Sequence, residues 1–197
     1  LVELDHLDAW TLMSATAACT KTLGIGTLVV CNSYRNPALL AKMATTVDQI
    51  SNGRFELGIG AAWFENEHRA YGFPFYTPKE RADRLGEALE VITKLWGEDH
   101  PSYQGQYYSL FKAPFSPRNV QDPHPPIVVG GKGKKWIMPL VARYADAWNV
   151  PIGVTPKGIE NRREIMRTEC ARIGRTPCDI EVQAFLVQYS ITDVPFA

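Results

Sequence analysis

One continuous stretch of the sequence, from Leu23 to Gly60, has the pattern of a strand, a helix and a second strand. The first strand is predicted over Leu23–Val30, a short apolar run typical of strands that are buried on both faces of a parallel sheet. Two glycines in this run, Gly24 and Gly26, indicate a bulge or the close approach of another backbone. The pattern therefore predicts a βαβ unit with an irregular first strand.

The residues at the two ends of the helix support this interpretation. Asn36 is a good helix N-cap, Pro37 suits the first helical position, and Gly53 suits a left-handed helix end. The apolar positions at helical spacing are Leu40, Met43, Val47 and Ile50. The second strand is predicted over Phe55–Gly60. Because βαβ crossovers are right-handed, both strands should end on the same sheet edge, where ligands of α/β proteins bind.

Composition limits the classes of function. The 197 residues carry 21 basic and 21 acidic side chains, which gives no indication of a nucleic-acid or membrane surface. No apolar run is long enough to span a bilayer, and the first residues show no basic segment followed by an apolar one, so a cytoplasmic protein is predicted. The titratable sulfur and imidazole groups belong to Cys19, Cys31, Cys170, Cys178, His6, His68, His100 and His124. Without Cys-x-x-Cys or a His-ligand spacing, we expect reduced thiols, no metal site, and histidines that are exposed or hydrogen-bonded.

A long helix and a proline-rich excursion follow the βαβ unit. The helix is predicted over Pro78–Trp96, with Thr77 and Glu80 forming a capping box and Gly97 ending it. Its apolar stripe is Leu85, Leu89, Ile92 and Trp96. Residues 98 to 126 contain six prolines, which exclude a long regular element, although residues 103 to 108 suit a small hairpin. Such an excursion is either a functional loop or surface decoration.

A glycine- and lysine-rich loop comes after the next strand. The strand is predicted over Ile127–Gly131, the loop is Lys132-Gly133-Lys134-Lys135, and a helix carrying Leu140, Val141 and Tyr144 follows. Backbone N–H groups at a helix start, flanked by ammonium groups, bind phosphate well. The loop lacks the Walker ending, and a solvated tight turn is the competing interpretation.

Strands and helices alternate to the end of the chain, with a strand at Ala147–Val150, a helix from Thr155-Pro156 to about Ile173, and a strand over Ile180–Gln188. This alternation is typical of an α/β fold, either a doubly wound sheet or a (β/α)8 barrel. The lack of a Gly-x-Gly-x-x-Gly turn weakens the first option. A barrel needs about 250 residues. We therefore expect one partial domain over residues 1–197, a barrel fragment without its first strands and its last strand.

Several motifs, in this order along the chain, give the sequence a specific resemblance. They are Ala9-Trp10-Thr11, Gly24-Ile25-Gly26-Thr27, Arg35-Asn36-Pro37-Ala38, Leu40-Ala41-Lys42-Met43, Ser51-Asn52-Gly53-Arg54, Leu57-Gly58-Ile59-Gly60-Ala61, Pro126-Ile127-Val128-Val129-Gly130-Gly131 and Tyr144-Ala145-Asp146-Ala147-Trp148-Asn149. With these motifs the chain resembles the luciferase-like flavin and deazaflavin oxidoreductases, especially the branch that uses the deazaflavin coenzyme F-420.

This resemblance implies a (β/α)8 barrel, in members of which a flavin-like ring lies at the C-terminal mouth against a bulged strand. The bulge, with a non-prolyl cis peptide, corresponds to Leu28-Val29. The residues that would contact the ring and its polar side chain are Cys31, Ala61, Ala62 and Asn66. The residues that would hold the phosphate are Gly130, Gly131, Gly133 and Lys134. The resemblance also suggests a homodimer.

Two departures from the family pattern concern the catalytic acid or base. The family's Asp-His pair should lie upstream of the Trp10 motif, and Asp5-His6 is too close to Trp10 to be that pair, so the acid is expected upstream of residue 1. Deazaflavin-dependent sugar-phosphate dehydrogenases have a Glu base where this chain has Trp63, which argues against that activity. Glu65 and Glu67 follow and could supply an acid or base, but helix-dipole stabilisation also explains acidic residues there.

These observations lead to a ranked set of functions. The first is hydride transfer between C5 of coenzyme F-420 and an unidentified small organic substrate, favoured by the run from Arg35 to Lys42. The second is an FMN-dependent monooxygenase, in which a separate reductase supplies reduced flavin that activates oxygen. The third is a barrel that binds a phosphate-bearing cofactor without catalysis.

Overall fold

The computed structural model describes residues 7 to 184 as helices packed on a parallel sheet. The helices are α1 Ala9–Cys19, α2 Pro37–Ser51, α3 Glu65–Ala70, α4 Pro78–Gly97, α5 Ile137–Tyr144 and α6 Pro156–Ile173, with short 3-10 turns at Asn32–Tyr34 and Pro177–Asp179. The strands are β1 Ile25–Gly26, β2 Val30–Cys31, β3 Phe55–Gly60, β4 Tyr103–Gln104, β5 Ser109–Leu110, β6 Ile127–Gly130, β7 Ala147–Val150 and β8 Glu181–Ala184.

The strands of the main sheet lie side by side in the order in which they occur along the chain. Its spatial order is β1-β3-β6-β7-β8, with β2 also paired to β3, and every pairing in it is parallel. Strand order therefore follows chain order with no reversal, whereas a doubly wound sheet reverses at its switch point. The arrangement is that of part of a (β/α)8 barrel, and the predicted fold class is confirmed.

The two faces of the sheet differ in residue size. Leu57 pairs with Ile127 and Ile59 pairs with Val129, and all four side chains are buried in the core with the helices. The alternate residues, on the opposite face, include Gly58, Gly60 and Gly130 beside the buried Val128. The core lies between the sheet and the helices, and the segment from Thr27 to Val29 lies against the glycines of the other face.

The first predicted strand is the part of the fold where the prediction was partly wrong. Instead of one strand over 23 to 30, the chain forms β1 and β2 with a break between them. Leu23 and Leu28 are 54% and 59% exposed, so the run is not buried on both faces. The bulge indicated by the glycines is present.

Helix α2 begins as predicted and ends at Ser51, and its left-handed cap is Asn52, one residue before Gly53. The Asn36 carboxamide accepts a hydrogen bond from the Ala38 N–H at 2.9 Å. At the other end Asn52 takes the left-handed conformation first, with φ 57°, and Gly53 follows with φ 80°. Leu40 and Val47 are buried, but Ile50 is 44% exposed, and Asp48 takes the inward position instead.

Buried Asp48 anchors the proline-rich excursion. Its carboxylate accepts hydrogen bonds from the backbone N–H groups of Val120 and Gln121 at 2.7 and 3.3 Å and from the Gln121 side chain at 2.8 Å. The predicted hairpin is present as β4 and β5, and the Glu87 carboxylate of α4 accepts from three N–H groups in its loop. The excursion is thus fixed to the helices rather than free.

The remaining elements agree with the sequence. The whole predicted stripe of α4 is buried, and Thr77 caps that helix, although the Glu80 carboxylate binds Arg84 rather than completing a capping box. The predicted last strand is present as β8, and its continuation to Gln188 lies outside the described residues, as does Asp5-His6. Between residues 7 and 184 no helix is long and apolar enough to cross a membrane.

Candidate functional site

A row of four residues forms the C-terminal edge of the central strands. The parallel register aligns Cys31 of β2 with Gly60 of β3, Gly60 with Gly130 of β6, and Gly130 with Asn149 of β7. Neighbouring strands lie about 4.8 Å apart, so the row is about 15 Å long. The loops that follow β2, β3 and β6 therefore open on one edge, as predicted.

The break between β1 and β2 shapes the surface below this row. Four residue steps from Gly26 to Val30 span three steps on β3, from Glu56 to Ile59, so one extra residue is accommodated. The peptide bond between Leu28 and Val29 is cis, as the resemblance implies. Leu28 is exposed and Val29 is half-buried, so the two residues assigned to the ring differ in accessibility.

The Val29 side chain lies across the glycines of the neighbouring strands. A methyl group added to Gly60 would be 2.9 Å from Val29 Cγ2, and one added to Gly130 would be 2.7 Å from the same atom. Both positions therefore require glycine because Val29 occupies the space. The result is a smooth apolar surface, formed by one side chain over bare backbone, at the mouth of the barrel.

The loop after β3 is held in an unusual backbone conformation. Ala62 has φ 70°, and its carbonyl accepts a hydrogen bond from the Arg81 guanidinium of α4 at 2.7 Å. Ala61 and Ala62 are half-buried, and Trp63 is 77% exposed. Asn66 is exposed in the first turn of α3. It follows the half-buried alanines along the chain and lies at the same edge of the sheet.

The glycine- and lysine-rich loop after β6 is fastened to its neighbours through its carbonyls. Gly131, with φ 140°, donates its N–H to Asn149 O at 3.2 Å and accepts from the Trp148 indole at 2.8 Å. The Lys132 carbonyl accepts from the Arg162 side chain at 2.8 Å. In contrast, the backbone N–H groups of Lys132, Gly133 and Lys134 donate to no acceptor in the described part of the chain.

These free N–H groups precede α5, and the side chains of Lys132 and Lys134 are exposed beside them. The structure thus brings Gly130, Gly131, Gly133 and Lys134 together in one short loop at a helix start. Unpaired N–H groups with adjacent ammonium groups suit a phosphate. The N–H groups of the loop are therefore free to bind an anion, while the carbonyls of Gly131, Lys132 and Gly133 already accept hydrogen bonds.

A buried polar cluster that the sequence did not predict lies beside Cys31. The His68 ring is 1% exposed, with Nε2 3.6 Å from the Cys31 sulfur and Nδ1 3.0 Å from the Phe64 carbonyl oxygen. The Tyr34 hydroxyl is 2.6 Å from Glu67 Oε2 and 3.2 Å from His68 Nδ1. No spacing rule connects residues 31 and 34 with 67 and 68. The pairing of β2 with β3 and the packing of α3 after the loop at Ala62 bring them together.

Burial affects the ionisation of this cluster. It raises the pKa of the Cys31 thiol, and the negative charge of Glu67 adds to the effect. Burial, followed by the hydrogen bond to Glu67, raises the pKa of the Tyr34 hydroxyl well above its usual range. Both groups are therefore neutral near pH 7. Of the two acidic candidates, Glu65 pairs with Arg69 at 2.8 Å on the surface, and Glu67 belongs to the cluster.

Other candidate chemistry is not supported by the described residues. Cys19, Cys31 and Cys170 are free thiols. Between residues 7 and 184 no group of three or more potential ligands is arranged to hold a metal ion.

Comparison with known proteins decides the family. The family model described as luciferase-like monooxygenase matches residues 2–193. The chain belongs to this family. The luciferase-like chain is 29% identical over 180 residues to an FMNH(2)-dependent dimethylsulfone monooxygenase of Pseudomonas putida, which covers 91% of this chain and 48% of that protein. It is 38% identical over 138 residues to an F420-dependent glucose-6-phosphate dehydrogenase of Amycolatopsis mediterranei, covering 70% and 39% of the two chains.

Solved structures support the same assignment. The luciferase-like chain superimposes on an F420-dependent secondary alcohol dehydrogenase, in complex with an F420-acetone adduct, with a TM-score of 0.82 and 26% identity. That match covers 92% of this chain and 55% of the dehydrogenase. The chain spans about half the length of the relatives it matches. These relatives are oxidoreductases, and their names divide between F420 and FMN.

Proposed function

We propose that this luciferase-like chain is part of an oxidoreductase that transfers a hydride between coenzyme F-420 and a small organic substrate. The observation that carries the choice of cofactor is the run from Arg35 to Lys42, which resembles the deazaflavin branch. The relative quoted above at 38% identity, which is named as F420-dependent, supports the same choice. We assign no substrate class. The resemblance places the catalytic Glu base of the sugar-phosphate dehydrogenases at the position of the exposed Trp63, which argues against a sugar-phosphate substrate.

The residues assigned to the cofactor fit a planar ring with a phosphate-bearing side chain. Val29 over Gly60 and Gly130 offers a flat apolar surface, and Cys31, Ala61 and Ala62 add small neutral side chains at the same edge. Leu28 and Asn66 are exposed at the rim. The free N–H groups of Lys132, Gly133 and Lys134 and the Lys134 ammonium group suit the phosphate.

The chemistry that bound coenzyme F-420 supplies is hydride transfer at its C5 atom. The residues of this chain would orient the cofactor and exclude water from one face of the ring. Neither Cys31 nor Tyr34 is ionised near neutral pH, so neither group adds a charge at the ring. The exposed lysines of the loop after β6 would attract the anionic end of the cofactor to that end of the edge.

An FMN-dependent monooxygenase is the second candidate. It is favoured by the Pseudomonas relative, whose alignment covers 91% of this chain. That function would require reduced flavin from a separate reductase and an oxygen-reactive nitrogen where the deazaflavin has carbon. Turnover of the full-length protein with and without oxygen separates the two candidates.

The first experiment is a titration of the full-length protein with oxidised F-420 and with FMN, followed by ligand fluorescence. We expect tight binding of F-420 alone. Preferential binding of FMN would move the assignment to the monooxygenase, and binding of neither would refute both.

Lys134→Gln tests the phosphate end of the site. We expect it to weaken F-420 binding about fivefold, because one partly solvated charged hydrogen bond contributes about 1 kcal/mol. Lys157→Gln, at another exposed lysine near a helix start, is the matched control and should leave the affinity unchanged. Equal effects of the two changes would show that general charge, not the loop, attracts the cofactor. Gly131 is a poorer target because its φ of 140° strains any substitution.

A further inference from the structure

In the buried cluster beside Cys31, the direction of each hydrogen bond follows from the groups that can only accept one. The Glu67 carboxylate accepts, so the Tyr34 hydroxyl, 2.6 Å away, must donate to it. The Phe64 carbonyl also accepts only, so His68 Nδ1, 3.0 Å away, carries the hydrogen. The Tyr34 oxygen, whose proton is committed to Glu67, is a second acceptor for that Nδ1–H at 3.2 Å.

The other ring nitrogen then has a defined role. All direct partners of His68 are neutral groups, namely the Phe64 carbonyl, the Tyr34 hydroxyl and the Cys31 thiol. A buried cationic ring without a carboxylate in direct contact is costly, so the neutral ring is favoured. With the hydrogen on Nδ1, Nε2 is an acceptor, and the Cys31 thiol, 3.6 Å away, is its donor.

We propose that His68 is a positioning residue that holds Cys31 as a neutral, hydrogen-bonded thiol at the cofactor edge, and that the Phe64 carbonyl, together with Tyr34 and Glu67, sets the His68 tautomer that makes this possible. The cluster is built from two segments of the chain, namely the end of β2 with the 3-10 turn that continues it, and α3. Its members are half-buried or buried, and the Tyr34 and His68 rings are in contact, with centroids 4.7 Å apart and planes tilted by 41°.

The consequence for the site is control of a nucleophile. Thiolates, not thiols, add to electrophilic centres. A thiolate at Cys31 would place a reactive anion at the edge assigned to the ring, close to the charge of Glu67. A thiol whose hydrogen is directed to Nε2 offers the ring a small neutral contact instead. This consequence rests on the proposed function, whereas the tautomer and the state of the thiol are properties of the chain alone.

The direct test is nitrogen-15 NMR of the histidine side chains in the ligand-free protein, with His68 assigned by His68→Gln. We expect the neutral ring with hydrogen on Nδ1 and a bare Nε2 near pH 7. A ring with hydrogen on Nε2, or an imidazolium, would overturn the proposal. The ring state is measured in the unchanged protein, and His68→Gln serves only to assign the signal.

A pair of substitutions tests the part assigned to Tyr34 and Glu67. In Glu67→Ala the Tyr34 hydroxyl loses its acceptor and can donate to His68 Nδ1 in competition with the Phe64 carbonyl, so a fraction of the rings carries the hydrogen on Nε2, directed at the sulfur. Together with the loss of the nearby charge, this should lower the midpoint of Cys31 alkylation by iodoacetamide and raise its rate at pH 7.5 about tenfold. Peptide mass spectrometry separates Cys31 from the other thiols.

Adding Tyr34→Phe to Glu67→Ala removes the hydroxyl that drives the tautomer change, since Phe64 then remains the only partner of Nδ1. The double variant should therefore recover the Nδ1–H ring and most of the slow alkylation. Glu65→Ala, two residues earlier on the same helix, is the control for loss of a carboxylate. Equal acceleration in Glu65→Ala, or no recovery in the double variant, would refute the proposed role. Cofactor titration of the unchanged protein tests the proposed function separately.

Discussion

Gly58, in the middle of β3, allows a sharper prediction than any other position in the chain. A methyl group added there would lie 1.7 Å from the carbonyl oxygen of Thr27 and 2.8 Å from its carbonyl carbon. These are backbone atoms at the start of the bulge, so no side-chain rotation relieves the clash. Thr27 is also tied to Gly58 by two hydrogen bonds through its hydroxyl, at 2.6 and 3.0 Å. Gly58→Ala must therefore displace the bulge and break both bonds.

The magnitude follows from these two losses. Two buried hydrogen bonds contribute about 2 kcal/mol and a forced shift in a packed region costs about 1 to 3 kcal/mol, so the free energy of unfolding should fall by about 3 to 5 kcal/mol. With a urea m value of about 2 kcal/mol/M, the unfolding midpoint falls by about 1.5 to 2.5 M. Tryptophan fluorescence in a urea titration measures it. A loss below about 1 kcal/mol would refute the reasoning.

Two companion variants separate the clash from the general effect of replacing glycine. Gly24→Ala is the control because nothing lies within 4 Å of the added carbon, and we expect a change of less than about 1 kcal/mol. Gly130→Ala meets only the Val29 side chain, at 2.7 Å. Adding Val29→Ala to it should therefore recover part of the lost stability. No such recovery would show that the Val29 methyl groups are not the obstacle.

Two further predictions concern Asp48 and Cys31. Asp48→Ala leaves the N–H groups of Val120 and Gln121 without their acceptor. It should lower the free energy of unfolding by about 2 to 4 kcal/mol, measured by urea titration. It should also speed proteolysis within residues 98 to 126, measured by limited trypsin digestion. Burial raises the pKa of Cys31, so above about pH 8.5 the unfolded chain holds fewer protons than the folded one. The contribution of this thiol to stability is therefore fully present below that pH and falls as the pH rises. Cys31→Ala should reduce this fall in urea midpoints measured from pH 7 to 9.5.

The sequence predicted most elements because its local signals agreed with the tertiary structure. Asn36 caps α2, the apolar stripe of α4 is buried, and β7 has the predicted bounds. The first strand was partly wrong because hydrophobicity does not reveal that an extra residue must fit between two paired positions. Ile50 was wrong because Asp48, although charged, is the inward residue that holds the excursion.

The candidate site also has one part that the sequence predicted and one part that it did not. The alignment of Cys31, Gly60 and Gly130 follows from parallel topology, which the βαβ pattern predicts. The cluster of Cys31 with His68 does not follow, because it depends on how α3 packs after a loop with a left-handed Ala62. Side-chain partners more than 30 residues apart leave no periodic signal. A buried histidine in a helix therefore looks the same as an exposed one until the fold is known.

In the proposed function, the arrangement of charge along the sheet edge explains how one framework can serve different reactions. The positions assigned to the ring are neutral or apolar, and Val29 over glycine backbone supplies their surface. The assigned cation, Lys134, lies in the loop after β6, two strand spacings from Cys31. A cofactor with a planar head and an anionic tail would thus be oriented along the edge by the strand ends and the loops that follow them. Substrate choice then belongs to exposed side chains such as Trp63, which follows Ala62 in the loop after β3.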